Sequence, residues 1–194
     1  MMRSSELLDA LKKDSLSIND IFQSQFLSLS VDQLNWKPDI HSWSISECLE
    51  HIVLSGQFYI NEITNSFLSY KPENEPLNIN FKPGLIGNYS AKSMKPGNSG
   101  EIKNKMKTFK RMEPDKSGID TKKLFIDFGK YQDDLMLLIE KARYYNLNTI
   151  KINSSIGRII RFKLGDAFRF VIAHNQRHIQ QAINVLQSDG FPES

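Results

Sequence analysis

Apolar residues recur along most of the chain at three- and four-residue spacing, the period of an amphipathic helix. From Ser5 onward the positions Leu8, Leu11, Leu16, Ile18, Ile21, Phe22, Phe26 and Leu29 predict a first helix that ends near Ser30. The segment VDQLNWKPDIHSW follows, and Pro38 blocks an easy helical continuation. A second helix is predicted to open at SISE, where Ser44 and Glu47 have the three-residue spacing of a capping box. Its positions Ile45, Leu49, Ile52, Gly56, Ile60, Ile63 and Phe67 form one long stripe. A third helix is predicted from about Asp120 to Tyr145 on Leu124, Phe128, Tyr131, Leu135, Leu138 and Ala142. The last is predicted from around Leu164 to Asp166 as far as Ser188, before Gly190 and Pro192 stop it.

The stretch 71–118 has a different pattern. Pro72, Pro76, Pro83, Pro96 and Pro114 alternate with Gly84, Gly87, Gly97, Gly100 and Gly118. It reads as a long connection, with a helical turn or two expected within EIKNKMKTFKRM. A connection of this length is uncommon and often functional. LNTIKINSSIGRIIRFKL is β-branched with a short period, which predicts an extended excursion or a small hairpin. Four long amphipathic segments argue for an all-α four-helix bundle, with the long connection between helices two and three.

Composition narrows the class. The 194 residues fit a single domain spanning 1–194, and 40% hydrophobic with 24% charged residues is ordinary for a soluble globular chain. The net charge of +3 comes from 25 basic and 22 acidic side chains, with no block of five basic residues. A nucleic-acid partner is therefore not expected. No run of eighteen apolar residues occurs, so no membrane span is expected. Cys48 is the only cysteine and cannot form an internal disulfide. The polar N-terminus lacks the apolar stretch of a signal peptide, so a cytoplasmic location is expected.

The predicted last helix carries the candidate chemistry. Its stripe reads Ala167, Val171, His174, His178, Ala182 and Val185, which puts two of the four histidines on the core face. Spacing of four residues sets their Cβ atoms about 5–6 Å apart, so both rings can reach one divalent cation. Asn175 stands where a zincin protease has its glutamate, so that class is excluded. A catalytic site needs a third protein ligand and an open position. The candidates are His51, His41, Cys48 and carboxylates. His51 lies beside Ile52 on the second helix, whereas His41 sits in the loop before Trp43. A lone buried cysteine is more often an inert small hydrophobe. Glu47 can serve as an acceptor for the His51 ring, but its capping role explains it as well and is preferred.

WSISECLEHIV (Trp43 to Val53) and LGDAFRFVIAHNQRHIQQ (Leu164 to Gln181) together resemble the two halves of the DinB/YfiT-like superfamily motif. There a Trp-Ser/Thr-x-x-Glu opening precedes a helix with one histidine, and a closing helix carries His-x-x-x-His. The first helix and its LSVDQLNWKPD exit also look like that family. The resemblance implies an up-down-down-up bundle with a three-histidine metal site near one end. The ligands would be His51, His174 and His178. It further implies a metal-dependent enzyme acting on a small molecule, a hydrolase or an S-transferase using a low-molecular-weight thiol. The long 71–118 connection is less typical of the family.

Three neutral imidazoles leave a divalent ion its full charge and at least one position for water or substrate. Such an ion lowers the pKa of a bound water or thiol. All-imidazole ligation suits zinc, nickel, iron or copper, and zinc or nickel is expected here. The sequence identifies no general base. Arg169 and Arg177 can bind an anionic substrate, but a solvated helix face is the preferred reading for both. Tyr59 and Tyr131 can donate into the site or simply pack in the core. The competing reading is a non-enzymatic bundle with a structural metal or hydrogen-bonded histidine cluster, acting through dimerisation or partner binding. A homodimer is expected in either case, because antiparallel bundles often pair through an outer helix face.

Overall fold

The computed structural model describes residues 2–97, 99–102, 108–115 and 118–193. It is mostly helical, with six α-helices among the described residues. Helix α1 (Ser4–Ile21) runs into a π-helical turn at Phe22–Phe26, and a short helix α2 (Val31–Asn35) follows. Ser30 starts α2 with a capping box: its hydroxyl accepts from the Gln33 N–H at 3.2 Å, and Gln33 Oε1 accepts from the Ser30 N–H at 2.9 Å. Helix α3 (Ile45–Ser69) opens on the expected Ser44/Glu47 box, with bonds of 3.2 and 2.8 Å. Its buried face repeats the sequence stripe as far as Ile63 and adds Cys48, His51, Ser55 and Tyr59, with Phe67 only partly buried.

Helix α5 (Thr121–Lys141) is capped by Asp120, which accepts from the N–H groups of Lys122 and Lys123. Helix α6 spans Leu164–Leu186. Helices α1 and α3 each pack against both α5 and α6, so the four stripes meet in one core. None of the helices among the described residues is long and apolar enough to cross a membrane.

The chain is not purely helical. Strands β1 (Met2–Arg3) and β2 (Asn80–Phe81) form an antiparallel pair that ties the start of the chain to the 71–118 segment. The expected hairpin is present: β3 (Lys151–Ser154) pairs antiparallel with β4 (Gly157–Lys163), with Ile152 opposite Phe162 and both buried.

The 71–118 segment departs from the reading of it as a loop. It holds a ten-residue helix, α4 (Leu85–Met94), packed on α6. The sequence hides this helix because its buried face is Gly87, Ser90, Ala91 and Met94, mostly small residues, while Leu85, Ile86 and Tyr89 point outward. Small residues are required there, since a Cβ on Gly87 would overlap Asp166. Asp166 is fully buried and pins α4 in place, accepting from the Gly84 N–H at 2.7 Å and from Arg169 Nη1 at 2.9 Å. Arg169 also donates to Asn88 at 2.9 Å. Arg169 is thus a structural clamp between α4 and α6, not a solvated-face charge. Of the turns expected within 101–112, one 3-10 turn occurs at Lys110–Met112, and residues 103–107 lie outside the described residues.

Gly56 on α3 leaves room for the Tyr131 ring of α5. A Cβ there would fall within the Tyr131 ring. Gly56→Ala is expected to cost about 1–3 kcal/mol through overpacking, read as a lower Tm in thermal unfolding. An unchanged Tm would show that the Tyr131 ring has room to yield.

Candidate metal centre

Three histidines from two helices meet between α3 and α6. The ligand atoms of His51, His174 and His178 lie within 4.8 Å of one another, and this is the one such group among the described residues. His51 and His178 are buried, at 5% and 8% exposure, while His174 keeps part of its surface open. The ring of His51 sits 5.0 Å from that of His174 and 4.4 Å from that of His178. The stripe of α6 brings its pair inward, as the sequence predicts. His51 reaches them because α3 buries the neighbouring face formed by Cys48, Ile52 and Ser55.

Hydrogen bonds set which nitrogen of each ring faces the centre. The Met112 carbonyl can only accept, so His51 Nδ1–H donates to it at 2.7 Å and the Nε2 lone pair faces inward. His178 Nδ1–H donates to Gln181 Oε1 at 3.1 Å. Ser55 gives its hydroxyl proton to the His51 carbonyl at 2.6 Å, which leaves its oxygen facing His174 Nδ1 at 3.5 Å. Every Nδ1 is thereby turned outward. His51 Nε2 and His174 Nε2 stand 3.1 Å apart, both offering lone pairs. Two acceptors at that distance repel unless a cation sits against them, so this donor set fits a divalent metal ion.

Electrostatics favour the ligand-competent state. Burial pushes the pKa of His51 below its ordinary value, with the Met112 bond acting in the opposite direction. Burial pushes His174 and His178 well below that value, and the neighbouring imidazoles and Arg177 push the same way. All three rings are neutral near pH 7. Trp43 packs over His51 and His178 at 4.9 and 5.6 Å between ring centroids, and Phe170 stacks beside His174 at 6.1 Å. These aromatic rings shield the flanks of the cluster from water.

The histidines border a cleft of about 450 Å³, within the range of small-molecule sites. Its walls include Trp43, Tyr59, Phe109, Ile156 and Phe170, and no Asp or Glu is among the described lining residues. Thr108, Phe109 and Met112 line one side. Beyond the Met112 bond, Glu50 accepts from the Asp115 N–H at 2.7 Å, and Arg111 lies over the Phe58 ring at 5.2 Å. The 71–118 segment therefore contributes directly to the site.

The other candidates fall into place around this cleft. His41 is exposed and lies at its edge, outside the histidine cluster. Cys48 is wholly buried in the core, its thiol pushed upward by burial, and it is not part of the cluster. Glu47 is held by its capping bonds and by Lys37 at 2.6 Å. Tyr59 bonds the Ser155 hydroxyl at 3.1 Å in the hairpin turn, and Tyr131 accepts from Asn175 at 2.7 Å. Arg177 is buried and lines the cleft, which corrects its reading as a solvated-face residue. Met112, Ser55 and Gln181 were not foreseen as partners of the rings. A backbone carbonyl carries no sequence signal, and Ser55 meets the ring of His174 on another helix, whereas Gln181 at three residues from His178 was a legible spacing.

The family model of the DinB superfamily matches residues 20–182 of the chain. No curated protein and no solved structure gives a match.

Two outcomes follow for the metal-free protein and its loaded form. The unfolded histidines titrate near 6.5 and the folded ones lower, so the unfolded chain takes up more protons as pH falls through 6.5. Metal-free protein is expected to lose stability steadily below that pH, and a denaturant midpoint flat from pH 7.5 to 5 would contradict it. Glu50→Ala, which releases one anchor of residues 108–115, is expected to weaken zinc binding about tenfold in competition with a chromophoric chelator.

Proposed function

The chain belongs to the DinB superfamily, and on that premise we propose that it is a metal-dependent enzyme acting on a small molecule. The proposed activity is that of a hydrolase or of a low-molecular-weight-thiol S-transferase. The observation that carries this reading is the convergence of three inward Nε2 lone pairs at the edge of a cleft large enough for a small molecule. A purely structural cluster needs no such cleft. His51, His174 and His178 would hold the ion, with zinc or nickel matching their borderline donor character. A divalent ion held by three neutral rings supplies charge that lowers the pKa of a bound water or thiol.

The remaining roles belong to the chain's own side chains. Met112, Ser55 and Gln181 fix the ring orientations through Nδ1. Trp43 and Phe170 keep water from the flanks of the rings. Without a carboxylate among the described lining residues, nothing there competes with the imidazoles for the cation or supplies a strong base. The same reading takes the four long helices as an up-down-down-up bundle. The packing of α1 and α3 each against both α5 and α6 joins the four in one bundle.

The test is reconstitution with zinc or nickel, followed by assays of ester and amide hydrolysis and of thiol transfer to a small electrophile. Activity is expected to track bound metal and to vanish in His178→Ala while the far-UV circular dichroism stays unchanged. Full activity in chelator-treated, metal-free protein would contradict the proposal.

A further inference from the structure

A second cavity, of about 600 Å³, opens where α1, α4 and α6 meet, and its size is that of a small-molecule site. From α6 it takes Arg169, Ile172 and Ala173. At 3.6 residues per turn these lie on the side of the helix opposite to His174 and His178. It shares no described lining residue with the histidine cleft, so it is a separate site. Its apolar surface comes from Met2, Leu7, Ala10 and Leu11 at the start of the chain and from Pro83 and Ala91 in the 71–118 segment. Met2, Ala10 and Pro83 are exposed, so a molecule seated in the cavity can touch them. Apolar surface left open beside charged residues marks a binding groove.

The charge around this cavity is unbalanced. Lys82, Lys92 and Lys95 line it and are exposed, and Asp14 is the one acidic residue among the described lining residues. None of the three ammonium groups has an ion-pair or hydrogen-bond partner among the described residues. Arg169, the fourth cation, is already held by Asp166 and Asn88. Lys92 lies in the last turn of α4 and Lys95 is its C-cap residue, three positions on. Side chains at that spacing are neighbours and like charges there repel, and α4 carries no acidic residue to offset them. Each lysine can lay its apolar stem along the cavity while its head group meets an anion.

We propose that this cavity binds an amphipathic anion, an aliphatic carboxylate of medium chain length. Its chain lies against the apolar wall and its carboxylate among Lys82, Lys92 and Lys95. Burial of the chain supplies most of the affinity. The lysines select the charged head by a smaller margin, because exposed ion pairs are weakened by water.

The probes are decanoate and 1-decanol, titrated by calorimetry into the full chain, once chelator-treated and once zinc-loaded. The chelator-treated wild type is expected to bind decanoate at a single saturable site, roughly five- to tenfold more tightly than decanol. Zinc is expected to leave that site unchanged. Lys92→Gln/Lys95→Gln, two exposed substitutions, is expected to keep its Tm and lose most of the preference. Ala10→Trp, also at an exposed position, puts an indole into the cavity and is expected to abolish binding of both probes. Absence of decanoate binding by the wild type overturns the proposal, and so does equal binding of the two probes or a preference that survives in the lysine variant. Decanoate binding that Ala10→Trp leaves untouched, or that requires zinc, puts the carboxylate elsewhere and overturns it as well. Binding by chelator-treated protein is read without any metal, so failure of the metal-dependent reading leaves this result intact.

Discussion

Neutral imidazoles can share a buried site only when each Nδ1 has an acceptor outside the cluster, since each ring carries two nitrogens that need partners. Met112, Gln181 and Ser55 meet that requirement here, and the inward Nε2 lone pairs follow from it. The strongest of these bonds, His51 to the Met112 carbonyl at 2.7 Å, joins α3 to the 71–118 segment. The packing of that segment and the direction of the site's donors are thus one constraint. Were His51 to lose its acceptor, its ring would be free to rotate, and the three-nitrogen convergence with α6 would be lost.

The rest of the architecture serves to hold α3 and α6 at this separation. Their stripes bury Leu49, Ile52, Val171 and Ala182 in a common core. Helix α4, clamped through Asp166 and Arg169, braces α6 near its N-terminus. The hairpin β3–β4 places Ser155 against Tyr59 and adds Ile156 to the cleft wall. Elements outside the helical bundle therefore supply much of the cavity that surrounds the histidines.

The long helices were legible because their large apolar residues keep a 3.6-residue period, and the caps at Ser44 and Asp120 mark their starts. The placement of His174 and His178 on a buried stripe was legible for the same reason. Helix α4 was hidden because its buried face is built from Gly87, Ser90 and Ala91, whose periodicity carries almost no hydropathy signal. Asp166 and Arg169 show a related limit. Their three-residue spacing is visible in the sequence, but the carboxylate's burial depends on the Gly84 N–H more than eighty residues away in the chain. The Met112 acceptor lies beyond sequence reasoning altogether, because every residue has a carbonyl and only the fold selects this one. Asn175 is legible in the sequence only as the residue that stands where a zincin has its glutamate, and its bond to the Tyr131 hydroxyl comes from the fold.

The central claim is that His51, His174 and His178 bind one divalent ion through Nε2 and leave part of its coordination sphere to the cleft. X-ray absorption spectroscopy of zinc-loaded protein tests this most directly. The account predicts three imidazole nitrogens at about 2.0–2.1 Å, with the outer-shell scattering of three rings, completed by light oxygen or nitrogen atoms. A sulfur scatterer from Cys48, or fewer than three imidazoles, would contradict it.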